Sequence, residues 1–161
     1  MKLRRTLFII VFALVIVDQL TKYVAETTLE FGVLTPIAPV FSLVLAYNKG
    51  VAFSALSWVG NTGLIVMTLV ILAGLYWLWR KVPVHKQLAH LGFALIFAGA
   101  IGNLIDRMAR GQVVDFFYFH TQNWAFAVFN VADSFITIGA IAIIIDELFS
   151  GRSGEPDRKS E

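Results

Sequence analysis

Two aspartates in this sequence stand where a charged side chain is costly. Asp133 follows Asn130 in FNVADSF, at the head of an almost wholly apolar run, and Asp115 lies among β-branched and aromatic residues in QVVDFFYF. Two carboxylates held close together cannot both ionise easily, so such a pair shares one proton. The ionised member can activate a water molecule, while the protonated member polarises a carbonyl and later protonates a leaving amine. This chemistry is peptide hydrolysis, and it needs no metal.

Other catalytic sets fit the sequence poorly. The three histidines do not cluster in the predicted topology, and without cysteine a zinc site has no plausible set of ligands. The sequence contains neither a G-x-S-x-G elbow nor a G-x-x-x-x-G-K-[ST] phosphate loop. A Ser–Lys dyad of Lys22 with Ser134 or Ser54 stays open as an alternative. We therefore expect neither a metal nor a cofactor.

The composition indicates which kind of protein must position these residues. Of the 161 residues 58% are hydrophobic and 15% are charged, and the mean hydropathy is +0.75. Soluble domains are about 45–50% apolar and about 25% charged. A soluble fold of this size could not hide so much apolar surface, so the sequence predicts one integral membrane domain over residues 1–150. The sequence has no concentrated basic patch, so it gives no indication of nucleic-acid binding.

Hydropathy predicts an all-α membrane protein with four transmembrane helices. The predicted helices cover residues 6–23, 60–79, 88–105 and 127–148. Each has about 18–22 residues, enough to cross a hydrocarbon core of about 30 Å. The first could mimic a secretory signal, but no A-x-A-like site follows it, so we interpret it as an uncleaved helix. Residues 151–161 are polar and are predicted to form a disordered cytoplasmic tail.

The distribution of basic residues predicts the orientation of the chain. With both termini in the cytoplasm, most of the 13 Lys and Arg residues lie inside. Two loops, about residues 24–59 and 106–126, then face outward. The first is predicted to form a small β-structure above the helices. The QVVDFFYF run is predicted to be an extended segment at the membrane surface, with Phe116, Phe117 and Tyr118 dipping toward lipid.

Conspicuous polar residues gather at the outer ends of three of the four predicted helices and in both outer loops. Ionisable residues within membrane spans are rare and usually face a site or one another. Their convergence therefore indicates a functional site near the outer surface. The polar residues that gather there are Asp18, Gln19, Lys22, Asn48, Lys49, Asn103, Asp106, Arg107, Asp115, Asn130 and Asp133.

Several of these residues also have a purely structural interpretation. Asp18 and Lys22 are spaced i, i+4, so an ion pair between them could merely seat the first helix at the interface. Asn130 and Asp133 have the spacing of a helix N-cap and an acid in the first turn.

Similar alternatives exist for the polar residues of helix 3 and the first loop. Asp106 and Arg107 could be ordinary loop charges after helix 3. Asn103 lies one helical turn before Arg107 and so shares its face. Asn48 could form a plain turn before Gly50.

Five motifs in order carry a resemblance to a known family. DQLTK, YNKGVAF, GNLIDR, VVDFF and FNVADS, on four predicted helices with both ends inside, resemble the bacterial lipoprotein signal peptidases, signal peptidase II. The resemblance covers about residues 5–148. One departure is visible. The family often has N-x-G-A-A-F, whereas this chain has NKGVAF, with Val51 in place of the first alanine.

The resemblance implies a fold, an activity and roles for particular residues. Members of the family are inner-membrane aspartyl peptidases that cut the signal peptide from prolipoproteins, just before a cysteine that carries a diacylglyceryl group. Globomycin, a cyclic peptide antibiotic, inhibits them. The catalytic pair carries over to Asp115 and Asp133. Residues that bind substrate or support the site carry over to Asp18, Lys22, Asn48, Gly50, Asn103, Arg107 and Asn130.

We therefore interpret the sequence as a membrane aspartyl endopeptidase, with lipid-modified prolipoproteins as substrates and membrane lipid around it. Which aspartate acts as base stays open, since a coupled pair titrates as a unit. Nothing in the sequence demands more than a monomer. The alternatives are a small transporter, whose acids would line a pathway across the bilayer, and a non-enzymatic scaffold whose polar residues hold helices together.

Overall fold

The computed structural model describes residues 2–50 and 60–150. This part of the chain holds four helices and a small antiparallel sheet. The elements are α1 (Lys2–Thr28), β1 (Thr35–Ala38), β2 (Phe41–Asn48), α2 (Gly60–Lys81), α3 (Gln87–Arg110), β3 (Val113–Phe119) and α4 (Val131–Ser150). The predicted tail lies outside the described residues.

Three of the described helices are long and apolar enough to cross a membrane. They are Arg5–Thr28 of α1 and the whole of α2 and α3. The fourth helix, α4, has 20 residues, and it carries Asp133 near its start and Asp146 and Glu147 near its end. The structure is thus mostly helical, as predicted, with three spans supported by length and composition.

The helix ends differ from the ends that hydropathy predicts. α1 continues to Thr28 and α3 to Arg110, beyond the apolar stretches that hydropathy marks. α3 ends at Gly111, whose φ of 74° is left-handed and whose backbone N–H donates to the oxygen of Arg107. α4 begins at Val131 rather than at residue 127. The preceding segment is extended instead, since Phe129 exchanges backbone hydrogen bonds with Phe117.

Glycines let α3 and α4 pack backbone to backbone. A Cβ atom on Gly92 would lie 2.6 Å from the oxygen of Gly139, and one on Gly139 would lie 2.5 Å from the oxygen of Gly92. A Cβ atom on Gly99 would collide with the oxygen of Ala132. Small residues permit this approach, which is a common basis of helix association in membranes. The packing fixes the start of α4 against the second half of α3.

An apolar cluster holds the helices together at the end away from the sheet. Leu7, Trp79, Phe93 and Ala94 are buried there, so α1, α2 and α3 meet in one core. The indole nitrogen of Trp79 donates to Nδ1 of His90 at 2.8 Å, which satisfies two buried polar groups.

The three strands form one sheet in the order β1-β2-β3, with antiparallel neighbours. The small β-structure predicted for the first outer loop is therefore confirmed. The segment around Asp115 is extended, as predicted, but it also pairs with β2 as strand β3, where Asp115 lies opposite Ala46. Phe116 is buried rather than dipping toward lipid, and Phe117 and Tyr118 are half-buried. Pairing with β2 satisfies backbone groups that would otherwise be costly to bury.

Candidate active site

The predicted site residues come together where four elements meet: the second halves of α1 and α3, the first turn of α4, and β3. Asp115 on β3 is 2% exposed, and Asp133 in the first turn of α4 is half-buried. These two aspartates come from segments that are separate in the sequence. The fold that joins them is built from the α3–α4 contact and the β2–β3 pairing.

Asn130 links the two aspartates. Its Nδ2 donates to Oδ1 of Asp115 at 2.6 Å and to the backbone oxygen of Val114 at 3.2 Å. Its Oδ1 accepts the backbone N–H of Asp133 at 3.0 Å, and its own N–H donates to Oδ2 of Asp133 at 3.2 Å. This reciprocal pair has the pattern of a capping box. The predicted N-cap is thus present, and the same side chain also reaches Asp115.

Asn103 holds the second oxygen of Asp133. Its Nδ2 donates to Oδ1 of Asp133 at 2.8 Å, while its Oδ1 accepts from Nζ of Lys22 at 3.0 Å and from Asn130 at 3.2 Å. The ammonium of Lys22 can only donate, so it fixes which end of the Asn103 amide faces Asp133.

Asp115 is the titratable group whose surroundings most resemble those of a catalytic acid. Burial, first, and the negative charge of Asp133, second, raise its pKa from 3.8 to about 6. Hydrogen bonds from Asn48 and Asn130 and the charge of Lys22 oppose this rise in pKa. A carboxyl group with a pKa near neutrality, beside a second carboxylate, can hold the one proton that an aspartate pair shares.

Asn48 and Gly50 form a tight turn at the end of β2. The side-chain oxygen of Asn48 accepts the backbone N–H of Gly50 at 2.8 Å, so the predicted plain turn is present. Gly50 has a φ of +87°, and a Cβ atom there would collide with Leu64 of α2. The turn therefore requires glycine, and it aims Asn48 at Asp115.

Three buried charges lie beneath the pair. Nζ of Lys22 lies 2.9 Å from Oδ2 of Asp18 and 2.9 Å from Oδ2 of Asp106, and all three side chains are fully buried. The ion pair predicted between Asp18 and Lys22 is therefore present, but it lies inside the protein rather than at an interface. Asp106 is not a loop charge, because α3 continues past it.

Sequence reasoning did not select Asp106 or Gln19 as site residues. Asp106 accepts hydrogen bonds from Gln19, Arg110 and the backbone N–H of Val114. The available signal was spacing, because residues 103, 106 and 110 share one face of a helix if α3 extends that far.

Arg107 lies at the edge of the site. Its NH1 lies 3.5 Å from the backbone oxygen of Asn103, and among the described residues its buried Nε has no hydrogen-bond partner. Its positive charge interacts with the carboxylates of the site, more strongly with Asp133 than with Asp115. The guanidinium thus faces the carboxylates, and its buried Nε–H is left to donate a hydrogen bond to a substrate oxygen.

The structure does not assemble the alternative Ser–Lys dyad from Ser134. The hydroxyl of Ser134 donates to the backbone oxygen of Asn130, and Lys22 already donates to Asp18, Asp106 and Asn103. Ser54 and the unusual Val51 lie outside the described residues.

An apolar groove opens beside Asp133. It has a volume of about 520 Å³ and runs between the segment before α4 and the first turns of that helix. Its walls include Phe126, Phe129, Ser134 and Ile138. Apolar side chains and the carboxylate of Asp133 thus line the same cleft. Such a lining suits a substrate that is apolar except at the bond to be cut. Among the described residues, no group of three or more His, Cys, Asp or Glu could hold a metal ion.

Comparisons with known proteins agree on one family. The family described as signal peptidase (SPase) II matches residues 10–149. The lipoprotein signal peptidase of Sinorhizobium fredii is 49% identical over 152 residues, which cover 90% of this chain and 92% of that protein. The lipoprotein signal peptidase of Brucella ovis is 44% identical over 147 residues, covering 91% of each.

Solved structures agree with the sequence relatives. A bacterial membrane enzyme solved by the in meso method at 2.3 Å superposes with a TM-score of 0.81 at 34% identity, covering 97% of this chain and 94% of that one. A second such structure, at 1.9 Å, gives a TM-score of 0.79 at 37% identity, covering 89% of this chain and 92% of that one. With a family match across nearly its whole length and relatives close to half identical, the chain belongs to the signal peptidase II family.

Proposed function

We propose that this protein is an aspartyl endopeptidase that removes signal peptides from prolipoproteins, cutting just before a cysteine that carries a diacylglyceryl group. The observation that carries the proposal is the arrangement of Asp115 and Asp133, joined through Asn130, with the pKa of Asp115 raised to about 6. Membership in the family and the names of the relatives support the substrate class.

The two aspartates perform the reaction by sharing one proton. The ionised carboxylate takes a proton from a water molecule, and the resulting hydroxide attacks the scissile carbonyl carbon. The protonated carboxyl group donates its proton to the carbonyl oxygen, which gives a neutral tetrahedral intermediate. When this intermediate breaks down, the carboxyl group formed in the first step protonates the departing amine and the C–N bond breaks. The other carboxylate takes back a proton from one hydroxyl group of the intermediate as the C=O bond re-forms, which restores the single shared proton. The pair titrates as a unit, so neither aspartate alone is named the base.

Three polar residues orient the reacting groups. Asn130 donates to Asp115 and Asn103 donates to Asp133, each through its side-chain amide, so both carboxylates are held in place. Arg107 offers its buried Nε, which has no partner among the described residues, to a backbone oxygen of the substrate. A fixed donor of this kind stabilises negative charge as it develops on the substrate. Asn48 supports Asp115 from the turn at Gly50.

The membrane supplies the setting for this chemistry. We place all four helices across the bacterial inner membrane, α4 included, with both termini in the cytoplasm and the site near the outer surface. The protein works as a monomer in a single domain over residues 1–150. Apolar chains of the substrate reach the site from the bilayer through the groove beside Asp133. No observation favours the alternatives of a transporter or a scaffold, since the buried acids gather at one end of the helices.

A cleavage assay in detergent micelles tests the proposal. The substrates are one prolipoprotein with its diacylglyceryl group and the same protein without it. The enzymes are the wild type, Asp115→Asn and Asp133→Asn, with Glu30→Gln as a control because Glu30 is an exposed acid outside the site. The wild type and Glu30→Gln should cut only the lipidated form, and both site variants should be inactive although folded.

Two additions test the finer claims. A chelator should leave turnover unchanged, since the proposed hydrolysis needs no metal, and globomycin should abolish it. Cleavage of both substrates alike would overturn the lipid requirement. Turnover that persists in Asp115→Asn and Asp133→Asn would overturn the aspartyl mechanism itself.

A further inference from the structure

The two residues that precede the catalytic aspartates are held in the same way. The backbone N–H of Val114, just before Asp115, donates to Oδ2 of Asp106 at 3.2 Å. The backbone N–H of Ala132, just before Asp133, donates to Oδ1 of Asp18 at 2.9 Å. Each reacting side chain therefore stands one residue away from a backbone group fixed by a buried carboxylate.

One ammonium group joins these two carboxylates. Nζ of Lys22 lies 2.9 Å from Asp18 and 2.9 Å from Asp106. Nε2 of Gln19 spans the same two groups, at 3.2 Å from Asp18 and 3.1 Å from Asp106. We call Asp18, Lys22 and Asp106 the carboxylate clasp. It ties α1 to the start of α4 on one side and to the start of β3 on the other.

Burial makes the clasp rigid. All three side chains are fully buried, so solvent and salt do not screen their attraction. Removing one partner from such a set leaves an uncompensated buried charge, which is strongly unfavourable. Oδ2 of Asp18 is also pressed against Gly102 of α3, where a Cβ atom would collide with it. The clasp thus has little freedom to change its dimensions.

We propose that the carboxylate clasp is a positioning device that sets the separation between Asp115 and Asp133. This inference rests on the proposed aspartyl mechanism and assigns a role to Asp106, which touches no reacting atom. A proton-sharing pair works only over a narrow range of separations, because the Coulomb repulsion that keeps one proton in the pair weakens with distance. The ammonium of Lys22 binds both Asp106, which holds β3, and Asp18, which holds α4. It therefore couples the position of β3 to that of α4.

The charged groups around Asp115 come from every element packed on it. Asp133 of α4, Lys22 of α1 and Arg107 of α3 act on it through their charges, and Asn48 and Asn130 donate hydrogen bonds to it. If the pair opens, repulsion from Asp133 weakens and the pKa of Asp115 falls. The alkaline limb of kcat/KM, which follows the loss of the shared proton, then moves to lower pH.

Four variants test the clasp. Asp18→Asn and Asp106→Asn each keep a side-chain oxygen that can accept the backbone N–H of Ala132 or Val114. In each variant, however, Lys22 faces a neutral amide group in place of a carboxylate. The double variant removes both carboxylates. Asp106→Glu keeps the charge and lengthens the side chain, so it alters the geometry alone. Glu26→Gln is the control, because in the described part of the chain Glu26 forms an ion pair with Arg110, at the outer margin of this cluster, and with no member of the clasp.

Each single variant should lower kcat by roughly 10²-fold, the scale expected for a displacement of about 1 Å at a reacting group, with KM within about twofold of the wild type. The double variant should lose little more than the worse single variant, since the clasp acts as one unit. In Asp106→Glu the alkaline limb should move to lower pH. Glu26→Gln should behave as the wild type.

Other results would overturn the clasp. Asp106→Glu with the kcat and pH profile of the wild type would show that charge, not geometry, matters at this position. Losses that multiply in the double variant would show two independent supports. Variants whose lower turnover follows only a smaller folded fraction, with an unchanged pH profile, would reduce Asp106 to a structural role. Turnover in Asp115→Asn or Asp133→Asn would instead refute the underlying mechanism.

Discussion

Asn130 donates a 2.6 Å hydrogen bond to Asp115 with the same side chain that caps the helix carrying the second acid. Capping and catalysis were alternatives for Asn130 at the level of sequence. In the structure one amide both caps α4 and holds Asp115, because its oxygen faces α4 while its nitrogen faces β3. The two roles can therefore be separated by a substitution that keeps an oxygen and removes the nitrogen.

The Asn130→Ser variant should make this separation. A serine hydroxyl is a good N-cap, so Asn130→Ser should keep more thermal stability in detergent than Asn130→Ala does. The shorter serine side chain cannot donate the hydrogen bond to Asp115. We therefore expect kcat to fall by roughly 10–100-fold, which corresponds to about 1.4–2.7 kcal/mol. Asn130→Ala, which loses both roles, should also be less stable. Equal turnover in Asn130→Ser and the wild type would leave Asn130 as a helix cap alone.

Removal of the Asp115 carboxylate should inactivate the protein but stabilise it at high pH. The folded state raises the pKa of this group from 3.8 to about 6. A raised carboxyl pKa favours folding while the proton is bound, and this contribution is lost as the pH rises through 6. At pH 8 the ionised Asp115 then costs about 3 kcal/mol, at about 1.4 kcal/mol per pKa unit.

The measurement is the melting temperature of Asp115→Asn and of the wild type at pH 8 and pH 4. Asp115→Asn should melt higher at pH 8, and the difference should shrink toward pH 4. Glu30→Gln, an exposed acid, should follow the wild type at both values. A lower melting temperature for Asp115→Asn at pH 8 would contradict the pKa shift.

The pair of aspartates proposed to be catalytic could be picked out from the sequence because the energetic cost of each carboxylate depends on its local surroundings. A carboxylate in an apolar run needs partners whatever the fold, so Asp115 and Asp133 stood out. Asp106 did not, because its burial depends on α3 continuing beyond the apolar stretch and on β3 folding back beside it. Neither event is visible in local hydropathy, which marks the lipid-facing part of a helix rather than its end.

Strand β3 was missed for a related reason. Its alternation of β-branched and aromatic residues is typical of a strand, but the partner that makes it one, β2, lies far away in the sequence. Local pattern cannot distinguish a paired strand from an extended surface segment. The start of α4 was likewise displaced, because the apolar run from residue 127 continues across the boundary between extended backbone and helix.

The glycine turn at the end of β2 gives a prediction with a matched control. Gly50→Ala must accommodate a positive φ inside the turn that holds Asn48, and its Cβ atom must push aside the terminal methyl group of Leu64. Gly32→Ala has a similar φ of +73° but open space. Both variants carry backbone strain of about 1–2 kcal/mol. Only Gly50→Ala should displace Asn48 from Asp115 and lower kcat/KM by roughly tenfold, about 1.4 kcal/mol. Equal effects in a cleavage assay would refute the role of the Leu64 contact.

The glycine contacts between α3 and α4 give the final prediction. α3 carries Asn103 and α4 carries Asp133, so the distance between these helices determines whether the 2.8 Å hydrogen bond between the two side chains can form. Gly99→Ala forces a Cβ atom onto the backbone oxygen of Ala132, at the first turn of α4. Backbone atoms cannot yield as a side chain would, so the helices must separate.

Gly74→Ala is the matched control, because a Cβ atom on this glycine of α2 meets nothing within 4 Å. It should leave turnover unchanged and keep or slightly raise thermal stability, since alanine favours the helix. Gly99→Ala should lower the melting temperature and also reduce kcat in the fraction that stays folded. If its folded fraction turns over like the wild type, the spacing of α3 and α4 is not what holds Asp133 in place.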